Sequence, residues 1–218
     1  PLGSSEFNVV SDLKNLYNTK IVAHRGYHYG NAAENSVASL AEAQKLGVYG
    51  SEFDVYLTTD GVPVIYHNST FKGNEVPEDA KYKGWRPDSR TYEEIKDYKL
   101  ANGEPLPTLD DYLNQAKLYP NVKLIIEIKN HNTTDKTMRA AQTCVDAVKA
   151  KGLQNQVEYI AFSYDVCKKL AGLAPEATVQ YLNGDKAPST VFADGIKGID
   201  YSYSKLTDAW IKEANGLG

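Results

Sequence analysis

The chain alternates short apolar runs with longer segments whose apolar residues recur at helical spacing, and this alternation restricts its fold more than any other feature. Strand-like runs lie at residues 19–25, 51–57, 62–66, 122–128, 157–163, 177–182 and 198–203. Helical segments are predicted at 34–47, 91–98, 108–118, 134–151, 165–173, 188–194 and 206–215. Such an order predicts an α/β fold with a parallel sheet, either doubly wound or closed as a (β/α) barrel.

Two features refine this prediction. The second and third strands are separated only by residues 58–61, which end in Asp60-Gly61, a strong turn signal. Residues 68–90 are polar and predict an irregular excursion from the βα repeat. The sequence contains no glycine-rich phosphate loop of the G-x-G-x-x-G or G-x-x-x-x-G-K type, which disfavours the nucleotide-binding versions of the fold.

Length and composition limit the class of protein. The 218 residues are 42% hydrophobic and carry a net charge of −4, which predicts one globular domain over residues 8–218 and disfavours nucleic acid as a partner. No apolar run approaches the roughly 18 residues of a membrane span, so stable membrane insertion is not expected. The oligomeric state is left open.

The first seven residues, Pro1 to Phe7, resemble a protease-site and cloning-site remnant. A chain that starts without its native methionine suits the removal of a secretory leader. We therefore expect a periplasmic or secreted protein rather than a cytoplasmic one.

Acidic and basic residues lie where core residues are expected. Side chains alternate along a strand, so Glu52 and Asp54 point to one face of the second strand. The same spacing places Glu127 and Lys129 on one face at the end of the fourth. Three carboxylates thus converge on one region of the predicted sheet.

Buried unpaired carboxylates cost several kcal/mol each, so these acids require a cation. An internal ion-pair cluster with Arg25 and Lys129 is one solution. A binding site is favoured over it, because nearly every charge falls at the carboxyl end of a strand, where α/β folds build their sites. Oxygen ligands alone favour Mg²⁺ or Ca²⁺ over Zn²⁺.

Two of the four histidines, His24 and His67, end the first and third strands. With oxygen ligands on the cation, both imidazoles are free for proton transfer. A dication beside Arg25 and Lys129 would hold a phosphoryl group and neutralise charge on its oxygens. The residues therefore predict a phosphodiester substrate.

With these residues in view, the chain resembles the glycerophosphodiester phosphodiesterase family. The matching pieces, in family order, are His24-Arg25-Gly26, Glu34-Asn35-Ser36, Glu52-Phe53-Asp54, residues 57–64, His67, residues 107–111 and Glu127-Ile128-Lys129. Together they cover roughly residues 19–205. The resemblance implies a TIM-type (β/α)₈ barrel that hydrolyses small glycerophosphodiesters to glycerol 3-phosphate and an alcohol with a divalent cation, Mg²⁺ or Ca²⁺.

The resemblance also implies roles by position. His24 and His67 match the catalytic pair. The metal ligands match Glu52, Asp54 and Glu127, and the phosphate-binding residues match Arg25 and Lys129.

Other residues keep two interpretations. Glu34 matches a supporting acid near the metal or near His24 or Arg25, or is simply an acid favoured by the dipole of the first helix. His28 and His131 are possible substrate contacts, but solvated loop histidines are the simpler interpretation. Gly26 is expected to turn the chain without crowding the ligand.

Two larger features concern the barrel. Residues 68–106 correspond to an inserted segment that covers the barrel mouth. The seven strands leave two edges unpaired, and the family would continue into an eighth βα unit that this sequence lacks.

Two rival functions stay open. One is a phospholipase-type phosphodiesterase of the same superfamily, phospholipase D-like or phosphatidylinositol-specific. The other is a non-catalytic barrel that binds phosphodiesters.

Overall fold

The computed structural model of the protein describes residues 20–218. The remnant predicted at residues 1–7 lies outside these residues. In the described part the strands are β1 (Val22–Ala23), β2 (Gly50–Leu57), β3 (Pro63–Ile65), β4 (Lys123–Ile128), β5 (Val157–Ala161), β6 (Val179–Tyr181) and β7 (Gly198–Ile199). The α-helices are α1 (Val37–Leu46), α2 (Tyr92–Ile95), α3 (Leu109–Ala116), α4 (Thr134–Ala150), α5 (Tyr164–Leu173), α6 (Pro188–Ala193) and α7 (Asp208–Leu217).

Six strands form one parallel sheet, in the order β1-β2-β4-β5-β6-β7. Each crossover carries a helix, as the alternation of strands and helices predicted. The sheet is curled, like that of the barrel proteins it is compared with below. All carboxyl ends of the parallel strands meet at one edge of the sheet, and the site forms there.

The third strand does not belong to the parallel order. β3 pairs antiparallel with β2, through partners such as Tyr56 and Val64, and with no other described strand. The expectation that it takes a place in the barrel wall is wrong. The reason is local: a tight turn at Asp60-Gly61, with Gly61 at φ 87°, reverses the chain and returns it beside the strand it has just left.

The main core lies between the sheet and its helices. Phe53 and Val55 of β2 point into it and are fully buried, as are Leu124 and Ile126 of β4. Because side chains alternate along a strand, the residues between them turn to the opposite, inner face of the sheet. The helix-facing positions therefore supply the hydrophobic stability, and the inner face is left for polar residues.

Residues 68–106 form a second, small core together with residues of β2, β3 and the loop before α1. Its members include Phe71, Tyr82 and Tyr98, whose rings contact one another, and all three are buried. The segment contains the short 3₁₀ helices Pro77–Tyr82 and Pro87–Ser89. It is tied to the end of β4 by the buried carboxylate of Asp88, which accepts a 2.7 Å hydrogen bond from the backbone N–H of Asn132.

Within residues 20–218, no helix has the length and apolar character that crossing a membrane requires.

Candidate active site

Three carboxylates meet on the inner face of the sheet. The parallel register of β2 and β4 pairs Asp54 with Glu127 and Glu52 with Ile125. One ligand oxygen from each of Glu52, Asp54 and Glu127 can be chosen so that all lie within 4.8 Å of one another. All three side chains are buried. The structure thus brings together the acids that the sequence analysis selected as metal ligands.

The cluster is only partly neutralised by the protein. Lys129 Nζ lies 2.8 Å from Glu127 Oε1 and 3.2 Å from Asp54 Oδ1. Arg25 Nε lies 3.9 Å from Asp54 Oδ2, and the backbone N–H of Arg25 donates to Glu52 Oε2 at 2.8 Å. The other oxygen, Glu52 Oε1, is buried and has no hydrogen-bond partner among the described residues.

Burial, and then the neighbouring Asp54 carboxylate, raise the pKa of Glu52 well above its usual range, and the same two causes raise the pKa of Glu127. Burial alone would lower the pKa of Lys129, but the Asp54 and Glu127 carboxylates raise it above its ordinary value. The raised pKa values of these two buried acids indicate that the site lacks positive charge. Convergent oxygen donors with an unpaired oxygen fit a hard divalent cation.

Arg25 organises one side of the site. It adopts a left-handed backbone conformation, with φ 58°. Its Nη1 donates to Glu34 Oε2 at 2.9 Å, and its Nη2 donates to His67 Nε2 at 2.8 Å. Because a guanidinium can only donate, His67 Nε2 accepts and the ring is neutral. The remaining ring nitrogen, Nδ1, then donates to Asn68 Oδ1 at 2.9 Å.

His24 lies at the mouth, directly after β1. Its side chain is 72% exposed, and its Nε2 is 3.9 Å from Glu52 Oε2. Partial loss of solvent around the ring, and then the positive charge of Arg25, lower the pKa of His24. His24 and His67 thus end on the same side of the sheet as the carboxylates.

Glu34 precedes the first helix rather than lying in its first turn. α1 begins after Ser36, whose hydroxyl caps it by accepting from Ser39 N–H at 3.0 Å. The helix-dipole interpretation of Glu34 is therefore wrong. Partial burial would raise the pKa of Glu34, but the hydrogen bond from Arg25 holds it below its ordinary value.

Gly26 turns the chain, as expected, with φ 76°. A Cβ added there would lie 2.3 Å from Ser39 Oγ and 2.7 Å from the Ser39 carbonyl carbon, so the close approach of α1 also requires glycine at this position.

The two additional histidines differ from each other. His28 is exposed, and its Nδ1 lies 3.2 Å from Gly26 O. His131 is buried: its Nε2 accepts from Leu57 N–H at 2.8 Å, and its Nδ1 donates to Lys129 O at 2.7 Å. The solvated-loop interpretation is wrong for His131, which joins the ends of β2 and β4.

Asn35 was missed as a site residue by the sequence analysis, although it lies in one of the motifs that support the resemblance. It is 1% exposed, adopts φ 58°, and donates from Nδ2 to Asp54 Oδ2 at 2.9 Å. One feature of the sequence does indicate a role for Asn35 in the site: it adjoins Glu34 in the loop that follows β1.

Comparison with known proteins decides the family. The sequence profile of the Glycerophosphoryl diester phosphodiesterase family matches residues 24–203, which is most of the chain and includes every site residue described above. The chain belongs to this family. This phosphodiesterase is accordingly an enzyme of the phosphoric diester hydrolase class.

Individual relatives agree with this family. A crystal structure of a glycerophosphodiester phosphodiesterase from Parabacteroides distasonis is 42% identical, with a TM-score of 0.84 over 92% of this chain and 81% of that one. The glycerophosphodiester phosphodiesterase of Caldanaerobacter subterraneus is 34% identical over 145 residues, 55% of this chain and 56% of that protein. An Oleispira antarctica phosphodiesterase, solved in complex with sn-glycerol-3-phosphate, shares the fold at 21% identity, with a TM-score of 0.74 over 92% of this chain and 81% of that one.

Proposed function

We propose that this phosphodiesterase hydrolyses glycerophosphodiesters to glycerol 3-phosphate and an alcohol, with a divalent cation held by Glu52, Asp54 and Glu127. The observation that carries the proposal is the buried carboxylate cluster, which has an unpaired oxygen and too little positive charge of its own. The glycerol 3-phosphate in the Oleispira antarctica relative supports the nature of the product.

The basic residues of the site support binding of a phosphate. The cation, when bound, supplies charge that neutralises the phosphoryl oxygens as negative charge grows on them. Arg25 reaches the cluster, Glu34 and His67 at once, so its guanidinium is fixed in position before a substrate arrives. Lys129 adds a second cation beside Asp54 and Glu127.

Hydrolysis forms a bond from phosphorus to a nucleophile oxygen and breaks the bond from phosphorus to the alcohol oxygen. One proton must leave the nucleophile, and one must reach the departing alcohol. We assign these transfers to His24 and His67 as a pair, without dividing the two roles between them. The neutral Nε2 of His67 supports this assignment, since an unprotonated imidazole nitrogen can take a proton.

The test is a hydrolysis assay with glycerophosphocholine that measures release of glycerol 3-phosphate. EDTA should abolish activity, and Mg²⁺ or Ca²⁺ added in excess should restore it. His24→Ala and His67→Ala should each lose activity by 10²-fold or more while melting as the wild type does. Lys117→Ala, which changes an exposed residue at the end of α3 outside the site, is the control. Undiminished turnover in chelator would refute the metal assignment.

We also propose that the chain is a single barrel domain in which residues 68–106 are an insertion that covers part of the mouth. Its packing in a small core on β2 and β3, and its link from Asp88 to Asn132, support this. A closed barrel of eight strands would place two further βα units between the free edges of β1 and β7, each of which has one partner in the described sheet. The intact mass of the natural protein tests this: closure requires about 60 further residues, two eighths of a typical barrel.

Location outside the cytoplasm stays a prediction, and fractionation of the source organism with activity measured in each fraction would test it.

A further inference from the structure

A cavity of about 320 Å³ opens beside the carboxylate cluster. Its walls come from the loop 28–35, from Tyr66 and His67, and from the 68–106 segment. We propose that this cavity holds the alcohol that leaves, and that Glu75 selects substrates whose alcohol carries an ammonium group. This inference rests on the proposed function and adds a substrate class and a specificity-determining residue to it.

The position of the cavity ties it to the reaction. His67 and Glu34 both line it, and both accept hydrogen bonds from the Arg25 guanidinium. Arg25 also approaches Asp54 of the cluster, so one side chain connects the cavity wall with the candidate metal site. A phosphodiester held by Arg25 therefore has the cavity next to it, with one residue of the candidate acid–base pair, His67, in the wall.

Charge distinguishes the two carboxylates of the cavity. Glu34 is neutralised, because it accepts from Arg25 and lies 4.0 Å from Lys72 Nζ. Glu75 has no cation within 4.0 Å among the described residues, and its Oε1 makes no hydrogen bond there. An anion without a partner in the wall of a binding cavity favours a cationic ligand.

Glu75 is also held in place before a ligand binds. Its Oε2 accepts a short hydrogen bond from the Tyr98 hydroxyl and a 3.2 Å bond from Asn74 N–H. Tyr98 is fully buried, packs on Phe71 at 4.2 Å between ring centroids, and lies 3.3 Å, oxygen to oxygen, from the Tyr66 hydroxyl. A fixed carboxylate loses little freedom on binding, which favours its use in selection.

The charge pattern points to the alcohol rather than to the glycerol half of the substrate. The glycerol half carries only neutral hydroxyls, which bind an unpaired carboxylate no better than they bind any other hydrogen-bond acceptor. Among glycerophosphodiesters the variable alcohol is the part that can carry an ammonium group. The side chains of Ala33 and Leu100, also in the wall, suit the short methylene chain between that group and the ester oxygen.

The experiment compares kcat/KM for glycerophosphoethanolamine, which carries a primary ammonium, with kcat/KM for glycerophosphoglycerol, which is neutral in that position. The variant is Glu75→Gln, which removes the charge but keeps an oxygen that accepts from Tyr98. The matched control is Glu78→Gln, the same change at an exposed position three residues on, outside the cavity. Thermal melting of all three proteins checks the fold.

We expect Glu75→Gln to lower kcat/KM for glycerophosphoethanolamine about tenfold, the scale of one charge-assisted hydrogen bond, and to leave glycerophosphoglycerol unchanged. Glu78→Gln should change neither. An equal loss for both substrates, or no loss for either, overturns this inference while the proposed function stands. If the wild type hydrolyses neither substrate with Mg²⁺ or Ca²⁺, the proposed function fails and the inference fails with it.

Discussion

Asn35 holds Asp54 from two sides. Its Nδ2 donates to the carboxylate Oδ2 at 2.9 Å, and its Oδ1 accepts from the Asp54 backbone N–H at 3.4 Å. The positive φ of Asn35 aims the amide at β2, and asparagine is among the few residues that adopt this conformation readily. The residue therefore acts on the candidate metal site by positioning one of its ligands.

Asn35→Gly should weaken binding of the cation by roughly 10-fold or more, because glycine keeps the backbone conformation but releases Asp54. Calorimetric titration of the metal-free protein with Mg²⁺ and with Ca²⁺ measures this. Asn35→Asp should also keep the left-handed backbone, but it replaces the amide with a negative charge beside Asp54. A loss of cation affinity in this variant would therefore come from the side chain and not from the backbone. Wild-type cation affinity in Asn35→Gly would contradict the positioning role.

Lys129 should contribute more to stability than Lys151, a less buried lysine with an equally close partner. Lys129→Met leaves the buried Asp54 and Glu127 carboxylates without their cation, and we expect the free energy of unfolding in EDTA to fall by about 3 kcal/mol. The control is Lys151→Met. Lys151 pairs with the exposed Asp110 at 2.5 Å, and its loss should cost about 1 kcal/mol or less. Equal losses in urea denaturation would show that the cluster does not depend on Lys129.

The strand residues of the site could be predicted because their arrangement follows from local geometry. Alternation along β2 places Glu52 and Asp54 on one face, and parallel pairing with β4 then places Glu127 beside Asp54. The same reasoning found His24 at the end of β1, whereas His67 reaches the site from β3, whose antiparallel pairing with β2 was not expected. For the carboxylates and His24, nothing beyond the period of a strand and the order of the chain was needed.

The loop residues could not be predicted in this way. Asn35 reaches Asp54 only because its backbone is left-handed, and no apolar pattern records that conformation. His131 meets Leu57 across 74 residues of sequence, at a point set by how the β4–α4 loop turns back. The pairing of β3 was misjudged for a different reason. Its turn signal at Asp60-Gly61 was local and clear, but the expectation of a regular barrel led us to count β3 among the strands of the wall.

The glycine after Arg25 gives a prediction about packing. Gly26→Ala should lower the free energy of unfolding by about 2–4 kcal/mol, since the new methyl would overlap α1 at Ser39 and the backbone is left-handed. Gly61→Ala is the matched control, because Gly61 has φ 87° but open space within 4 Å of the added Cβ. Its cost should be limited to the backbone, about 1 kcal/mol. Urea denaturation of both variants measures the difference, and equal costs would mean that α1 can shift to make room.

His131 should make stability depend on pH. Burial lowers its pKa from the ordinary 6.5, and protonation of Nε2 would abolish the bond that it accepts from Leu57 N–H. Because the unfolded chain binds the proton more readily, this contribution is fully present above pH 6.5 and is lost as pH falls below that value towards the folded-state pKa. Replacing the histidine by glutamine in His131→Gln should cost about 1 kcal/mol at pH 7.5 and flatten the pH dependence. Urea denaturation at pH 7.5 and pH 5 in both proteins measures the two slopes, and identical slopes would show that His131 keeps its hydrogen bonds when charged.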